Sequence, residues 1–315
     1  MLNRRHLRIK ILQALYALEQ SIEKNTSKFE KDLFFSIEKM YEMYIFLLLI
    51  MVEMRDIAEQ RLEENKKKRL PTQEDLNPNT RFVHNRLLKQ LEANKTLKSL
   101  SEKRKINWGG EGEMLRRLYR TLQNTDEFHK YMELNKADYA ADKEVVIRLF
   151  KRHLINDERL QEFFEEKSIF WVDDLDLVAS MTLKTLKSFE ADSDDLQPLL
   201  PLWKESDDER DFVKILYRKA IAHRDEHLEL IKSHADNWEV DRIALMDTIL
   251  MNMALTEARE FNQIPTKVTL NEYIEISKYY STPKSKTFIN GVLDKLFTQL
   301  SEKGEIKKVG RGLIN

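Results

Sequence analysis

The chain has 315 residues, 42% hydrophobic and 34% charged, which allows about two domains with buried cores and heavily solvated surfaces. The absence of cysteine excludes disulfides, thiolate metal sites and cysteine nucleophiles, while seven glycines and six prolines leave little material for hairpins. A net charge of −1 hides an uneven distribution. What remains is rich in Leu, Glu, Lys, Met and Gln, so the predicted fold class is all-α.

The first predicted helix lies in "NRRHLRIKILQALYALEQ" and runs from about residue 7 to 19. Leu7, Ile11, Leu15 and Leu18 form a stripe that should face a core. Arg5, Ile9, Leu12 and Tyr16 form a neighbouring stripe. Arg4, Arg5, Arg8 and Lys10 precede the first acid, Glu19. That basic start is either a solvated face or an edge for something anionic. Arginine beside an aromatic ring suits single-stranded RNA, with charge for phosphates and a ring for an unstacked base.

A long helix is predicted over about 33–65, containing the apolar run "IFLLLIMV" from Ile45 to Val52. That run is far shorter than the about 20 residues a membrane span needs, so it should be buried core. No apolar segment with a small-residue cleavage site lies near the start, and a cytoplasmic location without membrane contact is expected. After the loop "LPTQEDLNPNT", helices are predicted at about 81–93, 112–123, 140–154, 157–166 and 171–189, with "NWGGEG" between the first two. Residues 190–211 hold Glu190, Asp192, Asp194, Asp195, Glu205, Asp207, Asp208, Glu209 and Asp211 against Lys204 and Arg210, together with Pro198 and Pro201. This tract reads as an acidic hinge.

Further helices are predicted at about 207–234, 239–261, 269–280 and 285–301. Thr269 and Glu272 match a capping box and Ser285 suits an N-cap. Lys278, Lys284, Lys286 and Lys295 surround Phe288 near the start of the last helix, a second basic patch. Gly291 inside that helix should cost about 1 kcal/mol relative to Ala, so a close helix or ligand approach is expected there. The stretch 302–315 is a basic tail with Lys303, Lys307, Lys308 and Arg311.

"HRDEH", His223 to His227, matches H-x-x-E-H, in which two histidines four apart could hold zinc beside a glutamate base. A match this short is common in charged helices, and a third ligand is wanting. Glycine-rich phosphate loops, dinucleotide fingerprints and nucleophile elbows are all missing from the sequence. The expectation is a non-enzymatic binding protein without cofactor or metal. A zinc hydrolase is a distant alternative, and a protein-interaction scaffold without RNA binding a nearer one.

"RRHLRIKILQALYALEQ", "WEVDRIALMDTILMNMAL", "IPTKVTLNEYIEISKYY" and "SKTFINGVLDKL" together resemble the NusB family of transcription antitermination factors. The resemblance covers 1–30 and 207–301, which would form one discontinuous helical domain. Residues 31–206 would then be a helical insertion that includes the acidic hinge. It implies a NusB-like helical bundle that, with NusE, a small-subunit ribosomal protein, holds boxA-type single-stranded RNA within the RNA polymerase antitermination complex. It also implies RNA contacts at Arg4, Arg5, Arg8, Tyr16, Lys286 and Phe288, and a NusE contact at Asp241. With the arginine heads in solvent, removing Arg5 and Arg8 together should leave the fold intact. Two departures are visible: Ile9 stands where the family has an acid, and "STPKSK" replaces a Gly-plus-acid loop. Both make the surface more basic.

Overall fold

Helix α1 (Arg4–Gln20) begins almost a full turn before the apolar stripe requires. Asn3 is the reason. Its side chain accepts from the His6 backbone N–H at 3.1 Å, and the Asn3 N–H donates to His6 Nδ1 at 3.2 Å. This reciprocal cap, with histidine in the usual Glu/Gln place, carries Arg4 and Arg5 into the first turn.

The computed structural model describes residues 2–204, 206–234 and 244–313. Fifteen α-helices and no strand occur among the described residues. The chain divides into two compact units, one of 1–37 with 203–315 and one of 38–202. The expected limits were 30/31 and 206/207; the first lies later because helix α2 (Thr26–Lys66) starts earlier than expected and contributes its first turns to the first unit.

In the first unit, α11 (Ser206–Ala222), α12 (Arg224–Ser233), α14 (Thr266–Tyr280) and α15 (Ser285–Glu302) pack around α13 (Leu245–Glu260), as does α1. Every residue from Ile249 to Ala258 is buried, so α13 is enclosed on all sides and forms the core itself. The single helix predicted over 207–234 is broken at His223 into α11 and α12. The expected start of α13 near 239 lies outside the described residues. After α15 the chain folds back. Lys308 Nζ donates to the carbonyls of Ala258 and Phe261 at the end of α13, at 2.7 and 3.1 Å, and burial brings its ammonium down to about 8. Gly312 has no room for a Cβ, which would collide with the Asn262 carbonyl oxygen. The expected basic tail is therefore partly a helix cap.

The second unit holds the rest of α2, α3 (Gln73–Leu76), α4 (Arg86–Ala93), α5 (Lys95–Arg104), α6 (Gly112–Gln123), α7 (Asp126–Met132), α8 (Tyr139–Leu149) with a π-helical turn (Phe150–Leu154), α9 (Glu158–Lys167) and α10 (Leu175–Ser188). Helices α3, α5 and α7 are not among the expected ones, and α3 lies within the stretch expected as a loop. Asn94 both ends α4 and caps α5, and Thr125 caps α7 by accepting from the Phe128 N–H. The "IFLLLIMV" run is buried core, with the Phe46 ring amid Trp108, Phe163, Phe164 and Trp171. No helix among the described residues is long and apolar enough to cross a membrane.

The change of unit at 202/203 falls within the acidic tract, and side-chain contacts hold the first part of that tract. Residues 190–197 dock on α4 and α5: Gln90 donates to the carbonyls of Glu190 and Ser193, Asn94 to that of Gln197, and Lys95 pairs with Asp195 at 2.9 Å. Asp207, Asp208 and Glu209 fill the first turn of α11, where carboxylates favour the helix dipole.

Candidate nucleic-acid interface

Of the four cations that open α1, two are internal. Arg8 is 3% exposed and forks the carboxylate of Glu257, itself fully buried on α13, through Nε and Nη2 at 2.7 Å each. Thr269 and Tyr273 also donate to Glu257, at 2.8 and 3.1 Å, so four hydrogen bonds converge on one carboxylate. Burial alone would pull the Arg8 guanidinium down, but the Glu257 charge and hydrogen bonds outweigh it and raise the group further. The Tyr273 hydroxyl is pushed well up by burial and by the Glu257 charge. Lys10 is likewise buried. Arg8 is thus a structural ion pair rather than a phosphate contact, and its removal together with Arg5 does not leave the fold untouched. Taking one partner from such a pair costs about 3–5 kcal/mol.

The predicted capping box of α14 is replaced by the same network. Helix α14 starts at Thr266, Thr269 turns inward to Glu257, and Glu272 reaches α1 instead of its own N-cap. Arg5 forks Glu272 through Nε at 2.8 Å and Nη2 at 2.7 Å, with its side chain 45% exposed. Arg8 Nη1 adds a contact to Glu272 at 3.3 Å. The hydrogen bonds from Arg5 hold the Glu272 carboxyl below the usual range, against the opposing effect of burial. Arg4 is exposed, its guanidinium over the Phe212 ring at 5.4 Å. Burial, and then the Arg5 charge, lower His6 to about 4, which keeps its Nδ1 a neutral acceptor for the cap.

The start of α15 is set by Asp247, a buried acid near the beginning of α13. Its carboxylate accepts from Ser281 Oγ at 2.5 Å and Ser285 Oγ at 2.7 Å. Ser285 is accordingly the first residue of α15, and Lys284 precedes it without a side-chain cap. Lys286 is exposed, but Phe288 is 5% exposed and packs inward with Ile289, so its ring cannot receive a base. A Cβ at Gly291 meets nothing within 4 Å; no close approach explains this glycine.

Helix α14 joins the two ends of the chain. Glu275 accepts from Lys278, and that bond lowers its pKa, helped by the charges of Lys278, Arg5 and Lys286. Arg5 and Lys286 therefore act on one carboxylate, and the exposed surface is a mixed ledge in which Glu272 and Glu275 interleave the cations. Tyr16 stands apart. It is 38% exposed, accepts from Gln20 Nε2 at 3.2 Å, and lies eleven residues, about 16 Å of helix rise, beyond Arg5. Asp241 lies outside the described residues.

His227 is buried with both ring nitrogens engaged, Nδ1 with Asn252 Oδ1 at 2.7 Å and Nε2 with Arg259 Nη1 at 3.0 Å. His223 contacts Glu226 at 3.2 Å. No group of three or more potential metal ligands occurs among the described residues, and the H-x-x-E-H spacing here serves a core hydrogen-bond chain.

The profile of the NusB family matches residues 175–298. A transcription antitermination protein NusB from Salinibacter ruber is 45% identical over 137 residues, which are 42% of this chain and 86% of that protein. The chain belongs to the NusB family. The NusB of Natranaerobius thermophilus is 30% identical over 129 residues, 39% of this chain and 93% of that protein, and the NusB of Chloroherpeton thalassium 41% over 106 residues, 34% and 50%. These are names of a transcription factor, not of an enzyme. No solved structure matches the chain. The match begins at Leu175 and takes in α10, whereas the expected NusB-like segment began at 207. It does not extend to α1.

The acids that organise the ledge were not foreseen. Asp247 and Glu257 were visible as carboxylates inside an otherwise apolar helical run, "LMDTILMNMALTEA", which is the pattern a buried, bonded acid leaves in a sequence.

Proposed function

We propose that the chain is a cytoplasmic transcription antitermination factor whose first unit binds single-stranded, boxA-type RNA together with NusE, within the RNA polymerase antitermination complex. Family membership supports the antitermination role. The observation that carries the RNA reading is the ledge of α14, where Glu272 holds Arg5 from the start of the chain and against which α15 packs with the exposed Lys286 in its first turn. Arg4, Arg5 and Lys286 neutralise phosphates and Tyr16 offers a ring further along α1. Arg8 and Phe288 act from inside, the first by holding α1 in register with α13. NusE contact at Asp241 remains part of the proposal.

Arg5 already holds a carboxylate in fork geometry, the geometry guanidinium also uses for phosphate. RNA binding on this reading is an exchange in which a phosphate takes over the donors now given to Glu272. The test is a salt titration of a labelled boxA-like RNA with the full chain, with and without purified NusE. Three phosphates neutralised on a single strand give log K falling with log salt at a slope of about −2. Arg4→Ala with Arg5→Ala should flatten that slope to about −0.7 at an unchanged melting temperature. Binding that ignores salt overturns the reading.

A further inference from the structure

Helix α14 carries Glu272, Glu275 and Tyr279 at i, i+3 and i+7, which puts them on one face. Glu272 holds Arg5, and Glu275 holds Lys278 and lies in the field of Lys286. Tyr279 continues this row by one more turn, about 10 Å of helix rise beyond Glu272. It is 84% exposed, whereas Tyr273 on the same helix is fully buried and Phe288 nearly so. The base beneath it is firm, because Ser277 accepts from the Ser281 N–H to end α14, and Asp247 fixes the corner through Ser281 and Ser285. An aromatic ring has thus been placed almost wholly in water, on a capped helix end, next to Lys278 in the chain and on the helix face of Glu272, which holds Arg5.

We propose that Tyr279 is a base-stacking residue, its phenol face taking an unstacked base of a single-stranded RNA whose phosphates follow Arg5, Lys278 and Lys286. This rests on the RNA reading above. The argument is the division of labour that single-strand binding uses: cations track the backbone, and a ring receives a base without reading its identity. The core keeps Phe288 for itself, and Tyr279 is the ring that the ledge presents.

The test uses the full chain, a short labelled single-stranded RNA, and the same RNA with abasic positions, titrated at several salt concentrations. Tyr279→Ala should weaken binding about tenfold with the salt slope unchanged, since a ring releases no counterions. Tyr279→Phe should bind as the natural chain does, and an abasic nucleotide at the stacked position should erase the difference between Tyr279 and Ala. Thermal midpoints should coincide, as the side chain packs on little. If the natural chain binds RNA and Tyr279→Ala binds equally well, the stacking role is overturned alone; so it is if Tyr279→Phe loses as much as Tyr279→Ala, or if the variant loses only a protein partner. If the natural chain shows no salt-sensitive RNA binding, the functional reading falls first and this inference with it.

Discussion

Each unit is tied by a buried acid that collects donors from distant parts of the chain, and the two acids reach solvent by different routes. In the second unit Asp142 accepts from Tyr131 Oη and Arg86 Nε, both at 2.7 Å, while the buried Asn85 donates to the Asp142 carbonyl at 2.9 Å and caps α4. Those contacts clamp α4, α7 and α8, and they reach solvent through Arg86, whose side chain is 49% exposed. In the first unit Glu257 is tied through Arg8 to Glu272, then to Arg5, and so to an exposed charged surface with Lys286 and Tyr279 at its far side. Both centres close a fold and both reach solvent, the first through Arg86 on Asp142 itself and the second through Glu272 and Arg5. A buried charge is weak evidence for function until its network is followed to solvent.

The contrast can be broken most sharply at Arg8. Arg8→Ala leaves Glu257 buried without its partner, and urea unfolding should show a loss of about 3–5 kcal/mol. A variant as stable as the natural protein would mean that Arg8 does not hold the unit together. Asp142→Ala is the matching cut in the second unit. Leaving the Tyr131 hydroxyl and the Arg86 backbone N–H short of an acceptor should cost about 2–3 kcal/mol, with affinity for single-stranded RNA unchanged. Lost RNA binding in that variant would erase the distinction between the two centres. The smallest effect concerns the cap on α1. His6 is held near 4 in the fold against 6.5 when free, so the unfolded chain takes up a proton first. The contribution of His6 is complete above pH 6.5, declines as the pH falls from there to about 4, and is flat below. His6→Gln keeps the cap acceptor without the titration, and its difference from the natural protein should follow that window in thermal melts at closely spaced pH. A difference independent of pH would show the histidine charged in the fold.

Periodicity was enough to find most helices, because an apolar stripe records which face a helix buries. Leu7, Ile11, Leu15 and Leu18 all turned out buried. The apolar run at Ile45–Val52 was likewise legible as core. Short helices escaped, since α5 and α7 depend on the caps Asn94 and Thr125 more than on any stripe. The site was half legible. Arg4, Arg5 and Lys286 are exposed as expected, whereas Arg8 and Phe288 are not, and nothing local separates Arg5 from Arg8. What separates them is the helix face each occupies relative to α13.

The sequence by itself determined the all-helical class, the absence of any thiol chemistry, the family, and the two basic stretches at the ends of a discontinuous domain. Those properties are local, being spacings, compositions and motifs that survive without neighbours. Only the tertiary structure decided which cations reach water. The same guanidinium is a surface charge or an internal strut according to whether a carboxylate more than two hundred residues away arrives beside it, and no spacing along α1 encodes the arrival of Glu257 or Glu272.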